Sequence, residues 1–322
     1  MTGLSAYLDR FAGRRMVVLG DLAVDCYIET RPSRLSREAP VMVLQYEQRR
    51  HLPGCAANTV LNLRALGAEV VPIGIVGDDE PGSALLESFR AQGIPLSGIT
   101  VHGRSVVKVR IMSGDFSRPK QQVLRVDVEP QGHPSENTYL ELIARAGVAE
   151  KAEGIVVSDY GYGAASPGLL RAVVDVAPKA LVSVDSRQKI GEFQKADLLT
   201  PNEGEASAYL RRPVESDAEA REAARELRAL TEAGAVLLTR GNRGMMLADG
   251  EITALPIHGS TEIVDPSGAG DTVVATASLA RVAGASYAEA ARLATFAASI
   301  SVMKSGAVAV THAELAECLA RG

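Results

Sequence analysis

The chain has 322 residues, 46% of them hydrophobic, enough to bury a large core as one big α/β domain or two smaller ones, which excludes a disordered polypeptide. Thirty-four Lys and Arg against 39 Asp and Glu give a formal net charge of −5, which argues against a general nucleic-acid-binding surface, while the local patch Arg31, Arg34 and Arg37 suits a small anionic ligand. Three cysteines without paired metal-ligand spacing suggest neither a disulfide framework nor a zinc site, and with no signal-type segment or membrane-length apolar run the expectation is a soluble cytoplasmic protein without a membrane partner.

Apolar runs of strand length recur at 16–19, 70–76, 154–158, 180–184, 197–200 and 235–239 and read as parallel strands. Helical patterns fill the gaps at 56–66, 82–92, 136–150, 168–176, 217–233, 271–283 and 287–303. This alternation predicts an α/β layer fold around a central, mostly parallel sheet. Several strands run into polar or glycine-containing turns, Gly20-Asp21, Gly77-Asp78-Asp79, Ser158-Asp159-Tyr160 and Thr239-Arg240-Gly241, where open parallel sheets place their sites. Two segments break the pattern. Residues 41–46, and the pair 106–112 and 121–128 joined by a turn at 114–119, read as extended antiparallel strands forming a small inserted sheet, either a lid over a ligand or an edge meander.

The segment Asp265-Pro266-Ser267-Gly268-Ala269-Gly270-Asp271-Thr272 carries the most chemistry. Small and apolar residues follow it, so a buried helix starts between Gly268 and Asp271. A helix amino terminus presents unpaired N–H groups and partial positive charge, and glycines admit an anion to the backbone. An aspartate there repels phosphate, so Asp271 is either a helix cap or a base that deprotonates an attacking hydroxyl. Asp21 and Asp25 follow the first strand and read as acceptors for sugar hydroxyls or as turn caps. Gly54 and Asn58 sit in a small-residue segment that lets a ligand approach the backbone. Asn202 and Glu205, ahead of a helix, suit phosphates or Mg²⁺-bound water, or else a capping motif. The turn 239–244 would wrap a nucleotide or close a plain hairpin. No P-loop, zinc helix or nucleophile elbow is present.

In content and order these segments resemble the ribokinase-like, or PfkB-type, sugar kinases over nearly the whole chain. The resemblance implies a three-layer ribokinase-like fold as a single domain over 1–322, with lid segments at approximately 27–50 and 101–127. It implies that Asp271 is the catalytic base and that the amides of Gly268, Ala269 and Gly270 form the anion hole. Asp21, Asp25, Arg34, Gly54, Asn58, Lys108 and Asp159 would bind the sugar, with Arg110 and Lys120 as further candidates for a distal phosphate. ATP would lie against Asn202, Glu203, Gly204, Glu205, Thr239, Arg240, Gly241 and Gly244. Mg²⁺ would be held through water by Glu205, and K⁺ near Asp265, Ser267 and the 305–307 turn. Lid strands imply a homodimer. Within the family, residues 33–41, 157–160, 199–202 and 268–273 resemble the kinases that phosphorylate the anomeric hydroxyl of D-glycero-β-D-manno-heptose 7-phosphate, here expected as a stand-alone kinase. The departures are Cys55 in place of a glycine, Tyr162 in place of a lysine, and Asp185-Ser186-Arg187 in place of Asp-Pro-Lys. Fructose phosphate, ribose or nucleoside phosphorylation, and a sugar or nucleotide sensor without catalysis, remain the alternatives.

Overall fold

A computed structural model describes residues 3–114, 120–130, 134–259 and 264–321, so most of the expected turn at 114–119 lies outside the described residues. In chain order, α1 (Ser5–Leu8) leads into β1 (Arg15–Gly20), and β2 (Leu22–Leu35) and β3 (Met42–Cys55) then form a long antiparallel ribbon. The elements α2 (Ala56–Ala65), β4 (Glu69–Val76), α3 (Glu80–Ala91) and β5 (Ile99–Val101) return the chain to the body, and β6 (Val106–Ser113) with β7 (Gln121–Val128) extends the ribbon. There follow α4 (Glu136–Ala144), β8 (Gly154–Asp159), α5 (Pro167–Val176), β9 (Leu181–Ser186), β10 (Leu198–Leu199), α6 (Glu203–Leu210) and α7 (Asp217–Thr231). The last stretch contains β11 (Ala235–Thr239), β12 (Met245–Ala248), β13 (Ile252–Leu255), α8 (Ala269–Val282), α9 (Tyr287–Ser301) and α10 (His312–Arg321).

Nine strands form one sheet in the order β13-β12-β11-β10-β9-β8-β1-β4-β5, and four form a separate sheet in the order β3-β2-β6-β7. Pairing is parallel from β11 to β5 and antiparallel at the β13-β12-β11 edge. Both faces of the large sheet are covered. Met16 and Val18 of β1 enter the core on one side and Val17 and Leu19 the core on the other, which is why the strand reads as a continuous apolar run. From β1 the chain builds outward to β4 and β5 on one side and to β8 and beyond on the other. The order therefore reverses at β1/β8, and the crevice beyond those carboxyl ends is where such sheets bind ligands.

The ribbon explains where the sequence reading fell short. Residues 41–46 cover only the beginning of β3, and β2 carries no clear strand pattern, because its last five residues, Arg31 to Leu35, are exposed and have no buried face to impose a period of two. The helix expected over 136–150 stops at Ala144 and tightens into a 3₁₀ turn over Arg145–Ala149. Among the described residues no helix is long and apolar enough to cross a membrane.

The central helix α8 is buried from Asp271 to Ala280 and packs against α2 and α9. Its Leu279 is fully buried. Leu279→Ala is expected to lower stability by about 2–5 kcal/mol, read as a fall in the urea midpoint at unchanged slope.

Candidate active site

Three elements converge on Asp271: the amino end of α8 that carries it, the amino end of α2, and the loop after β8. The Asp271 side chain is buried, and its carboxylate accepts three hydrogen bonds. Asn58 Nδ2 donates to Oδ2 at 2.9 Å, Thr59 Oγ1 donates to Oδ1 at 3.1 Å, and the Tyr160 hydroxyl donates to Oδ1 at 2.9 Å. Burial pushes the carboxyl up to about 6, against the pull of those three donors and of the nearby Lys108 charge. A carboxylate with that affinity is ionised near neutrality and still takes up a proton readily, the condition for general base chemistry.

Asn58 is oriented from behind. Asn62, one turn further along α2, donates to Asn58 Oδ1 at 3.2 Å, and Asn62 Oδ1 in turn accepts from Thr272 Oγ1 and the Val310 amide, both at 3.1 Å. The chain of amides leaves Asn58 Nδ2 facing Asp271. Gly268, the amino cap of α8, has φ +79°, and a Cβ there would collide with Asn58 Nδ2, so the glycine is required by both backbone and packing. Of the three amides expected to bind an anion, that of Ala269 already donates to Pro266 O at 3.3 Å, and at Gly270 a side chain would meet nothing within 4 Å.

The expected sugar-binding residues divide into two groups. Asn58 and Lys108 come together with Asp271, while Gly54 lies against the Asp25 carboxylate: the Lys108 ammonium is 2.7 Å from Cys55 Sγ and 4.5 Å from the centre of the Tyr160 ring. Cys55 occupies the glycine position with φ +53° and ψ −133°, a strained backbone for a residue with a side chain, and burial pushes its thiol up to about 12. The acids are largely committed elsewhere. Asp21 accepts from the amides of Tyr160, Tyr162 and Ala164, which fills three of a carboxylate's four acceptor positions and pins the loop after β8. Asp25 is ion-paired with Arg110 at 2.6 Å in the interior, and Asp159 accepts from Ser186 Oγ at 2.6 Å and the Gly161 amide at 3.1 Å. Arg110 is thereby engaged internally, and Lys120 pairs with Glu29 and Glu47. Arg34 lies near the exposed far end of β2, roughly 30 Å from Asp25 at the rise of an extended strand, so the structure separates it from this site.

The residues expected around a nucleotide behave in the same divided way. Thr239, Gly241 and Gly244 line a largely apolar cavity of about 240 Å³ with Met245, Ala269, Gly270 and Val273, directly beside the start of α8. The Arg240 side chain turns away into ion pairs with Glu203 and Asp217, at 2.9 and 2.8 Å. Asn202 and Glu205 form a reciprocal capping box on α6, each side chain accepting from the other residue's amide at 2.9 Å, so the capping alternative describes their observed contacts. Gly204 stands within that first turn. Asp265 accepts from the Ser267 and Gly306 amides, both at 2.9 Å, and joins the start of α8 to the 306 turn.

Several contributors were not anticipated. Thr59 and Asn62 are, with Asn58, the polar residues among the first eight of a helix, all of them buried, a signal present in the sequence. Tyr160 stood in one of the strand-end turns read as site positions, but its contact with Asp271, 111 positions away, left no local signal. Asp185 is pushed well above the usual carboxylate range by burial and then by the charges of Glu205 and Asp271, so an acidic cluster surrounds the reactive end of α8. On the opposite side, Glu129, Tyr160, Tyr162 and Arg187 line a polar cavity of about 300 Å³, with Arg187 over the Tyr160 ring at 5.2 Å.

This arrangement has relatives. The chain is 37% identical over 316 residues to the bifunctional protein HldE of Azorhizobium caulinodans and 38% identical over 323 residues to that of Caulobacter vibrioides, covering 95% and 97% of this chain. It spans 64% and 65% of those relatives, just under two thirds of their length. Phosphofructokinase-2 from Escherichia coli, in complex with substrates and products, shares the fold with a TM-score of 0.77 at 19% identity, over 96% of this chain and 99% of that one. The profile of the pfkB family carbohydrate kinases matches residues 14–115 and 172–314, which include the β1 end, Asn58, Lys108 and the whole Asp271 segment, and the chain belongs to that family.

Proposed function

We propose that this protein is an ATP-dependent sugar kinase that phosphorylates the anomeric hydroxyl of D-glycero-β-D-manno-heptose 7-phosphate, giving the 1,7-bisphosphate. One observation carries the kinase reading: a buried, ionisable carboxylate stands in the first turn of α8, next in the chain to Gly270 of an apolar cavity and hydrogen-bonded to Tyr160 of a polar one. The apolar cavity fits a nucleotide base, and Gly241 and Gly270, where a side chain would meet nothing, leave room for a triphosphate to approach the backbone. Asp271 takes the proton of the sugar hydroxyl as that oxygen attacks the γ-phosphorus, and the free amides at the α8 terminus stabilise the charge that develops.

The acidic cluster supports a divalent cation that arrives with the nucleotide. Asp185 and Glu205 are both pushed up by burial, and the charge of Glu205 raises Asp185 further, so positive charge is wanted there. Mg²⁺ carried on phosphates and water would have Asp185 and Glu205 as outer partners. Bound there, Mg²⁺ would neutralise charge on the transferring phosphoryl group. Asp265 and Ser267, tied to the 306 turn, would hold K⁺ and keep the start of α8 in place.

Heptose 7-phosphate rests on the resemblance of residues 33–41, 157–160, 199–202 and 268–273 to the heptose kinases and on the two HldE relatives. Arg187 supports it, because it lines the polar cavity beside Tyr162 and supplies a cation where the lysine is missing. Glu129 favours a second reading, a sugar without the distal phosphate, since its carboxylate accepts from the Tyr162 hydroxyl in the same cavity. A homodimer through the small sheet is supported by Val123, Leu124 and Val126 on β7 and Met42 and Tyr46 on β3, apolar side chains that stand exposed.

Asp271→Asn is expected to lower kcat by about 10²–10⁴-fold while the KM for ATP and for sugar changes little, and a purified variant with normal turnover would overturn the assignment. Because a base must be ionised, kcat of the unaltered enzyme is expected to fall as pH drops through about 6; a rate flat from pH 5 to 8 would contradict this. In a screen of phosphorylated and neutral sugars with the product position read by NMR, heptose 7-phosphate phosphorylated at the anomeric oxygen is the expected result. Preference for a neutral sugar would select the second reading. Leu124→Lys is expected to convert a dimer to a monomer by light scattering.

A further inference from the structure

The three donors on Asp271 are not distributed evenly. Oδ1 accepts from both Thr59 Oγ1 and the Tyr160 hydroxyl, whereas Oδ2 accepts only from Asn58 Nδ2. A carboxylate oxygen has two lone pairs in its plane, so Oδ1 is filled and Oδ2 retains one. We propose that Tyr160 is a positioning residue for phosphoryl transfer, which with Thr59 occupies Oδ1 of Asp271 and leaves the second lone pair of Oδ2 as the acceptor of the substrate proton. This rests on the reading of Asp271 as general base and goes beyond it by naming the oxygen and the residue that selects it.

Tyr160 is built to hold that place. Its amide donates to Asp21 Oδ2 at 2.8 Å, which fixes the backbone at the carboxyl end of β8. Its ring has the Lys108 ammonium 4.5 Å from its centre and the Arg187 guanidinium at 5.2 Å, so two cations hold the aromatic plane. Burial, reinforced by the negative charge of Asp271, pushes the phenol well above its usual range, and the hydroxyl remains a donor throughout the working pH range. A hydrogen bond given to a carboxylate favours its ionised form. In the transfer step the sugar O–H bond breaks and its proton passes to Oδ2. The sugar oxygen forms the new bond to the γ-phosphorus, and the bond from that phosphorus to the bridging oxygen breaks with its electron pair leaving on ADP.

The test is the pH dependence of kcat for the unaltered enzyme, Tyr160→Phe and Thr59→Val, using ATP and the acceptor that the sugar screen ranks first. Tyr160→Phe keeps the ring between its cations and removes only the donor. The expected result is an acid limb displaced upward by about one pH unit together with a lower kcat on the alkaline plateau, because Oδ1 then competes for the proton, and an unchanged KM for ATP. Thr59→Val removes the other Oδ1 donor and is expected to move the limb in the same direction, which keeps the proposal testable if Tyr160→Phe does not fold. A lower kcat at every pH with the acid limb unmoved is the signature of a merely structural role and overturns the proposal. An unaltered enzyme without phosphoryl transfer would instead overturn the kinase reading beneath it.

Discussion

Everything in this site depends on keeping one carboxylate ionisable inside a helix that is buried on all sides. An isolated buried carboxylate costs several kcal/mol, and it persists only where hydrogen bonds offset the lost water. Asp271 receives three, from two residues of α2 and one of the loop after β8. The offset is incomplete. Burial lifts the group from 3.8 to about 6, which corresponds to a cost on the order of 3 kcal/mol to the native state at neutral pH. For an acid whose native affinity is raised, that cost is absent below about pH 4, grows between about 4 and 6 and is constant above. The protein thus carries a destabilising charge at the position where a base is needed, as expected where stability is traded for activity.

The need for those donors fixes much of the surrounding architecture. The start of α2 must lie against the start of α8, which allows no side chain at Gly268 and forces Cys55 into a backbone conformation suited to glycine. The loop after β8 must return over β1, and Asp21 secures it with three backbone hydrogen bonds. Asp25 and Arg110 lock β2 to β6 beneath the site by an internal ion pair. Through these contacts the acids at the strand ends hold loops and strands, and Asp25 ties the small sheet in place beside the reactive end of α8.

Much of this was legible in the sequence, for identifiable reasons. The parallel strands were visible because both faces of the sheet are covered and the strands are apolar throughout, as in β1 and β8. The Asp271 segment was visible because small residues before an acid at a helix start are chemically unusual. The allocation of side chains was not visible. Asp21, Asp25 and Asp159 have the right chemistry for sugar hydroxyls, yet their contacts are with amides, a guanidinium and a serine that meet them only in three dimensions. Asn202 and Glu205 carried their local capping pattern openly, and that pattern is what their contacts follow. Tyr160 meets Asp271 across 111 positions of chain, a distance at which no local periodicity speaks. Arg34 was grouped with the site by its type, and it stands at the exposed far end of β2, nine residues along the strand from Asp25.

The central claim is that the buried carboxylate of Asp271 and the base of the reaction are one group. Difference infrared titration of the carboxyl stretch, run beside the pH profile of kcat/KM, tests it most directly. A carboxyl group titrating at about 6 in the unaltered protein, absent from Asp271→Asn and coincident with the acid limb of the rate, is the predicted result. No carboxyl titrating between about pH 5 and 7, or one that Asp271→Asn leaves in place, would contradict it.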